Sequence, residues 1–414
     1  MWQGTASDET RTGASGSQPL VRGAHHEATL SSCAPSPACA PCPIRFPRAI
    51  CGDLRQAERR EWWITNGLAG YAGGTIAGSL TRRYHGLLIA PIASPLGRRL
   101  ILAKADATLC AGARSWPLFT NRWKSGAVDP SGFVRIGSFH LDYSVPVWTY
   151  EIEDRRVEAR IWMEPGAHTT YAAWRLQPET AASEQGFSLR VALLANNRDH
   201  HGSTPVGAFD PEIRLDGESI VVSDAGLFSL TIRAPDGKIA GKRDWYRNFD
   251  LSIEAERGLP SEDNHLCVGE ATLPLIPGEW RGIVASLESD PSADLAAALG
   301  RRLDHDRAIV STALAGSPAM QQAPSCIARL ALAADAFLFA RLLSDEPHGQ
   351  SVIAGYPWFG DWGRDTMISL PGLTLATGRP DTALRILRTF ARFVSQGMLP
   401  NVFPGAGEIG RAHV

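Results

Sequence analysis

The segment "RVEARIWM" (residues 156–163) places an apolar side chain at every second position. Successive side chains of a strand point to opposite faces, so this alternation is typical of a strand with one buried face. The segments "FSLRVALL" (187–194) and "LFSLTIRAPDGK" (227–238) repeat the alternation, and the latter ends in a Pro-Asp-Gly turn signal. Many short strands with turns between them and no helical periodicity predict an antiparallel β-sandwich over residues 44–293.

The hydrophobic period changes after this region. Residues 294–315 and 325–343 are predicted to form helices, the second of them apolar almost all round, as a buried helix should be. Residues 380–397 predict an amphipathic helix that ends at Gly397. Its predicted apolar face consists of Leu384, Leu387, Ala391 and Val394. The chain is therefore predicted to be an α+β multidomain protein in which a β-sandwich precedes an all-α domain.

Composition and charge argue against several classes of function. The 414 residues carry a net charge of -2, with 44% hydrophobic and 20% charged residues, so no basic excess suits a nucleic-acid partner. No apolar run approaches the roughly 18 residues that span a membrane, and the N-terminus lacks the apolar stretch of a secretory signal. Cys39 and Cys42 form a C-x-x-C among Pro, Ala and Ser, which we interpret as loose thiols without a metal. These features favour a cytoplasmic protein.

The segment "GYPWFGDWGRDT" (355–366) combines aromatic rings with charged side chains. Trp358 or Trp362 can cover the apolar face of a sugar ring. Arg364 offers a fork of hydrogen-bond donors and Asp365 a pair of acceptors, a combination that suits vicinal hydroxyl groups. The alternative interpretation is a buried ion pair under an aromatic lid, and the residues alone leave both interpretations open.

Two further motifs invite a catalytic or metal-binding interpretation. Residues 65–88 are rich in glycine but match neither G-x-x-x-x-G-K-[ST] nor a G-x-G-x-x-G between a strand and a helix, so they predict no phosphate site. His85 has no carboxylate nearby in sequence, and we expect it to make a structural hydrogen bond. His200 and His201 would point to opposite faces of a strand, so we predict a polar loop and no metal site there.

Three long segments occur in a characteristic order. They are "REWWITNGLAGYAGGTIAGSLTRRYHGLLIA" (60–90), "DWYRNFDLSIEAERGLPSED" (244–263) and "GYPWFGDWGRDTMISLPGLTLATGR" (355–379). Together they resemble the prokaryotic glycogen debranching enzymes, the amylo-α-1,6-glucosidase family, from about Ile44 to about Gly405. The chain departs from the family pattern at Ala69 and Gly73, where Gly and Ser are expected.

This resemblance implies a β-sandwich joined to an (α/α)6 barrel, and hydrolysis of the α-1,6 branch points of glycogen or limit dextrin by inversion, without a metal or an organic cofactor. The residues implied to bind the branched α-glucan are Trp358, Trp362, Arg364 and Asp365. Inversion needs a general acid and a carboxylate base about 6.5–9.5 Å apart. Both are expected beyond residue 414, so this chain alone is expected to be inactive. A minority interpretation makes Asp365 the general acid.

The expected organisation has five parts. They are a disordered leader (1–43), the sandwich (44–293), a helical linker (294–322), the start of a truncated barrel (323–407) and a non-native tail (408–414). The tail is expected to be non-native because "EIGRAHV" is the translation of a common sequencing-adapter sequence. Two alternatives stay open: another (α/α)6 α-glucosidase, glucoamylase-like or trehalase-like, and a glucan-binding protein that cleaves nothing.

Overall fold

The computed structural model describes residues 40–93, 96–178, 186–224, 226–316, 318–341 and 346–402. Most of the predicted leader and the whole of the predicted tail therefore lie outside the described residues. No helix of the described part of the chain is long and apolar enough to cross a membrane.

Antiparallel strands contain more of the described residues than the helices do. The strands are β1 (Arg45–Pro47), β2 (Glu61–Thr65), β3 (Tyr71–Thr75), β4 (Gly86–Ala93), β5 (Gly97–Ala111), β6 (Arg114–Pro117), β7 (Thr120–Arg122), β8 (Val128–Ser131), β9 (Ile136–Asp142), β10 (Val145–Ile152), β11 (Arg155–Met163), β12 (Thr169–Leu176), β13 (Phe187–Asp199), β14 (Glu212–Asp216), β15 (Ser219–Asp224), β16 (Phe228–Arg233), β17 (Lys238–Asp250), β18 (Glu262–Leu275), β19 (Arg281–Ser286), β20 (Leu338–Ala340) and β21 (Gln350–Val352).

Two large sheets contain nearly all of these strands. The nine-stranded sheet has the order β1-β9-β10-β11-β12-β19-β16-β15-β14. The eight-stranded sheet has the order β17-β18-β13-β5-β4-β3-β2, with β6 paired to β5. The predicted alternating segments lie in β11, β13 and β16, and the turn after β16 closes with a hydrogen bond from Gly237 N–H to Ala234 O (3.0 Å).

The two sheets pack face to face around one hydrophobic core. Trp62 of the eight-stranded sheet meets Trp148 of the nine-stranded sheet edge to face, with ring centroids 5.6 Å apart. The Trp148 indole N–H donates to Ile76 O at 2.9 Å, so this ring satisfies its only polar group within the core. Trp162 and Tyr171 stack at 5.0 Å farther along the same core. The predicted β-sandwich is confirmed.

Helices are short before the sandwich ends and longer after it. They are α1 (Arg48–Cys51), α2 (Leu54–Glu58), α3 (Ser252–Glu256), α4 (Leu295–Ala315), α5 (Pro318–Gln321), α6 (Ser325–Ala336), α7 (Gly363–Leu373) and α8 (Pro380–Ala391). The connector α4 begins as predicted, because the Asp294 carboxylate caps it by accepting a hydrogen bond from Ala297 N–H (2.9 Å).

The helix predicted over 325–343 is too long. Helix α6 ends at Ala336, and Leu338–Ala340 form strand β20, paired with β21. The extended backbone is held from outside: Ala340 N–H donates to Gly67 O of the sandwich, and Ile353 N–H donates to Phe337 O, both at 2.8 Å. Tertiary hydrogen bonds thus override the local helical preference of this alanine-rich segment.

The predicted apolar face of the helix over 380–397 is also wrong. Helix α8 buries Ile386 and Phe390 completely, whereas Leu384 and Leu387 are each 46% exposed. The helix ends at Ala391, before the predicted cap at Gly397. The described part of the predicted barrel is therefore a small helical unit beside the sandwich, and the barrel itself stays a prediction.

Candidate functional site

The segment 355–366 forms a closed loop that leads into α7. Two backbone hydrogen bonds of 2.8 Å close the loop, one from Ala354 N–H to Gly360 O and one from Phe359 N–H to Gly355 O. The glycines permit this narrow closure because no side chain crowds the turn. The loop therefore presents its aromatic side chains from a fixed backbone.

The two tryptophans of the loop differ in their surroundings. Trp358 is 38% exposed, and the sandwich contacts its ring from one side. The Arg82 guanidinium lies 5.7 Å from the ring centroid, and the Tyr84 ring meets it edge to face at 6.3 Å. Trp362 occupies the N-cap position of α7, half-buried, with Phe359 edge to face at 6.0 Å. Trp358 thus offers an exposed indole surface, whereas Trp362 also supports the start of the helix.

Arg364 and Asp365 lie in the first turn of α7. Arg364 is exposed and Asp365 is half-buried. Among the residues that the structure describes, neither side chain takes part in an ion pair, with each other or with a third group. Both residues belong to the N-terminal turn of one helix, and each side chain keeps hydrogen-bonding capacity for a polar ligand.

A buried ion pair does exist beside the rings, but it uses different residues. Arg341 Nη1 lies 2.6 Å from Asp361 Oδ2, with side-chain exposures of 7% and 5%. Burial raises the pKa of Asp361, and the neighbouring Arg341 charge acts in the opposite direction. Ser351 also donates its hydroxyl to Asp361 at 3.2 Å. This pair anchors the base of the loop, while the substrate role of Trp358, Trp362, Arg364 and Asp365 stays a prediction.

His85 has a carboxylate partner that its sequence neighbourhood does not reveal. Its Nε2 lies 3.2 Å from Glu61 Oε1 on β2, and Thr81 N–H donates to its Nδ1 at 3.2 Å. Because Nδ1 accepts, the proton sits on Nε2, which lies beside Glu61 but makes no hydrogen bond to it. Burial raises the pKa of Glu61, but the contacts with His85 and Arg82 outweigh it and bring that pKa below its usual value. This geometry agrees with the structural hydrogen bond expected for His85.

The loop predicted at His200 and His201 is confirmed, but the premise that the two side chains point to opposite faces of a strand is wrong. Both residues follow the end of β13 in a turn, and their ring centroids are 4.0 Å apart instead of pointing to opposite faces. With Asp199 they offer one ligand atom each within 4.8 Å of one another. Burial and the Arg98 charge lower the pKa of His200 to about 3. The same positive charge opposes a bound cation, so we assign no metal to this turn.

Sequence reasoning missed the contribution of the sandwich to this site. Arg98 on β5 donates a hydrogen bond to Phe359 O across 261 residues of chain. Arg82 and Tyr84, just before β4, contact Trp358. No local pattern marks these side chains, since their partners come close only through the tertiary fold.

Two family models match the chain. The model described as "Glycogen debranching enzyme N terminal" matches residues 60–281, which is more than half of the chain. The model described as "Amylo-alpha-1,6-glucosidase" matches residues 332–412 and so includes the loop and α7.

Among solved structures, a bacterial glucoamylase complexed with acarbose aligns with a TM-score of 0.40 and 10% sequence identity. The alignment covers 83% of this chain and 52% of the glucoamylase, so the chain spans about half the length of that protein. No curated protein matches the chain. On the extent of the first family match, this chain belongs to the glycogen debranching enzyme family.

Proposed function

We propose that this protein acts as a cytoplasmic glycoside hydrolase that releases glucose from the α-1,6 branch points of glycogen-like glucans by inversion. The family membership supports the reaction class. The described cysteines are all free thiols, which suits a reducing compartment. In this proposal the loop 355–366 and the first turn of α7 bind the terminal glucose.

One observation carries the assignment of the site. The exposed indole of Trp358 belongs to the same short segment as Arg364 and Asp365, whose side chains have no ion-pair partner among the described residues. A sugar needs an aromatic surface for its apolar face and directed groups for its hydroxyls. The charge of Asp361 in the same segment has instead a structural role, because it pairs with the buried Arg341 outside the segment.

In this mechanism the described residues bind and orient the glucan. Arg364 donates to, and Asp365 accepts from, the outer hydroxyls of the glucose that is released. Inversion then requires a carboxylic acid for the leaving oxygen and a carboxylate that activates water from the opposite side. We propose that Asp365 serves in binding and that the acid and base are supplied by carboxylates outside the described residues.

Binding of panose, which contains an α-1,6 linkage, tests the site by titration calorimetry. Asp365→Asn keeps the size and removes the charge, so the loss of a charge-assisted hydrogen bond worth about 1.5–3 kcal/mol should raise Kd roughly 10- to 150-fold. Asp381→Asn is the matched control, because Asp381 is exposed in the first turn of α8. Equal affinities for the parent and Asp365→Asn would contradict the site assignment.

The stereochemistry and linkage are tested on the released sugar. Proton NMR during digestion of a phosphorylase-limit dextrin, by a form of the protein that includes the proposed acid and base, distinguishes the two anomers of glucose before they equilibrate. Inversion at an α-linkage predicts β-glucose as the first product. Release of α-glucose would contradict inversion, and equal rates on isomaltose and maltose would contradict a preference for α-1,6 linkages.

A further inference from the structure

We propose that Arg98, on the sandwich strand β5, is a positioning residue for the glucan-binding loop 355–366. The sandwich would then set the shape of the site through a single buried side chain. The ligand in this inference rests on the proposed function, whereas the effect on the loop can be measured without any ligand.

Arg98 touches the loop at two points. Its side chain is buried, with the residue 2% exposed, and Nη2–H donates to Phe359 O. The guanidinium lies 5.5 Å from the ring centroid of Tyr356 and 5.7 Å from that of Tyr71 on β3. The two tyrosine rings meet edge to face at 5.5 Å. The Arg98 guanidinium therefore contacts the Tyr356 ring and the Phe359 carbonyl, which precede and follow Trp358 in sequence.

The base of Arg98 is fixed within the eight-stranded sheet. Its backbone pairs with Pro91 of β4, and its carbonyl accepts hydrogen bonds from the backbone N–H and the Nδ1–H of His200, both at 3.1 Å. A carbonyl can only accept, so Nδ1 of His200 carries a proton, and because burial lowers the pKa of His200 to about 3, the ring is neutral with its lone pair on Nε2. The guanidinium thus extends from a rigid strand toward the loop.

If Arg98 served packing alone, its buried charge would cost stability that an apolar residue would not. Arg98 makes no ion pair within 4.0 Å among the described residues, although burial raises the pKa of Asp361 and the Arg98 charge helps to lower it, and its Nε and Nη1 have no hydrogen-bond partner there. The hydroxyl groups of Tyr71 and Tyr356 are likewise buried without a partner in the described structure. A buried charge whose donors are only partly used costs stability, and an apolar side chain of similar length would avoid that cost.

These facts predict different effects on stability and on the loop. Removing the guanidinium removes a buried charge whose Nε and Nη1 have no hydrogen-bond partner among the described residues, so the sandwich should lose little stability. The loop loses its contact at Phe359 O and its cation beside Tyr356, so its closing hydrogen bonds should open more often. A residue that only fills space would instead weaken the sandwich and the loop together.

Hydrogen–deuterium exchange on the full chain separates these outcomes. In Arg98→Met we expect the amides of Ala354 and Phe359 to exchange at least about tenfold faster than in the parent, because local opening governs their exchange. Exchange in β11 and β13 and the melting temperature should stay close to the parent values. Arg99→Met is the control, since Arg99 follows on the same strand and hydrogen-bonds Asn197 instead of the loop.

Arg98→Lys provides a second variant that keeps the charge but loses the planar fork. It should loosen the same two amides while retaining a cation. Panose affinity should fall about tenfold or more in both Arg98 variants and stay unchanged in Arg99→Met, in line with the cost of misplacing binding groups. Parent-like exchange of the loop amides, a parallel loss of protection in the sandwich, or failure of Arg98→Met to fold would each overturn the proposal. If the parent does not bind panose, the proposed function fails, but the exchange result still decides the role of Arg98.

Discussion

Replacing Lys104 by Met should destabilise the sandwich strongly, because Lys104 belongs to a closed polar network inside the core. Lys104 is 5% exposed, and its Nζ lies 3.0 Å from Asp106 Oδ1, which is itself in a residue only 3% exposed. Nζ also donates to Thr120 O (3.0 Å) and to Asn121 Oδ1. Met would remove both hydrogen bonds and the ion pair, and the buried Asp106 carboxylate would keep only the hydrogen bond that it accepts from Asn121 Nδ2–H (3.1 Å).

The size of the expected loss of stability follows from the Asp106 carboxylate, which would stay buried without its ion-pair partner. Removing one partner of a buried ion pair typically costs about 3–5 kcal/mol, because the remaining charge stays desolvated. Burial already raises the pKa of Asp106, and Lys104 opposes that rise. Without Lys104 the folded pKa lies still farther above the unfolded value of about 3.9. The penalty is therefore full at pH values above the folded pKa, declines as the pH falls from there toward the unfolded pKa of about 3.9, and vanishes well below it, where the carboxyl is protonated in both states.

Urea denaturation of the parent and Lys104→Met at pH 7 and at pH 4.5 measures this effect. The loss of unfolding free energy should be smaller at the lower pH. The double variant Lys104→Met/Asp106→Leu should recover most of the stability, because an apolar pair of similar volume avoids both desolvation costs. A loss in Lys104→Met below about 1 kcal/mol at pH 7, or one that grows as the pH falls, would refute the reasoning.

Two other predictions test the packing of the helical unit and of the sandwich. Ile386→Ala should lower the unfolding free energy of the unit that contains α8 by roughly 2–5 kcal/mol, whereas Leu387→Ala, on the exposed face, should change it by less than about 0.5 kcal/mol in the same denaturation experiment. The reverse order would restore the face predicted from sequence. Gly132→Ala should cost roughly 1–3 kcal/mol, since its new Cβ would lie 2.4 Å from Phe119 O, while Gly300→Ala, with nothing within 4 Å in α4, should be neutral or stabilising. Equal melting temperatures for the two alanine variants would contradict this packing.

The sandwich could be predicted from sequence because strand alternation is a local signal. Residues 156–163 alternate in a period that only an extended, half-buried strand satisfies, and β11 forms there. The helical region was harder to predict. Residues 338–340 have helical neighbours, but their backbone pairs with Gly67 and with β21, and neither partner is visible in a local window.

The prediction of which face of α8 is buried was wrong for a different reason. Leu384 and Leu387 form one apolar stripe and Ala383, Ile386 and Phe390 another, so periodicity alone offers two candidate faces. Which stripe is buried depends on the neighbouring elements, and here Leu338, Val352 and Leu370 cover the second. The choice is set by tertiary packing that a single sequence does not contain.

The candidate site likewise has a part that local sequence reveals and a part that only the tertiary fold reveals. Its loop could be recognised from composition, since rings and charges cluster within residues 355–366. The ion pair of Asp361 with Arg341 and the contact of Arg98 with Phe359 could not be recognised, because both join distant parts of the chain.

The central claim, that the loop 355–366 and the start of α7 bind the end of an α-glucan, is tested most directly by a hydrogen-exchange footprint. The full chain is labelled with and without saturating panose or a branched limit dextrin. We expect slower exchange in peptides that cover residues 355–366 and no change in peptides from β11 and β13. Glucan-dependent protection confined to the sandwich, or no protection of the loop at a concentration at which calorimetry shows binding, would contradict the account.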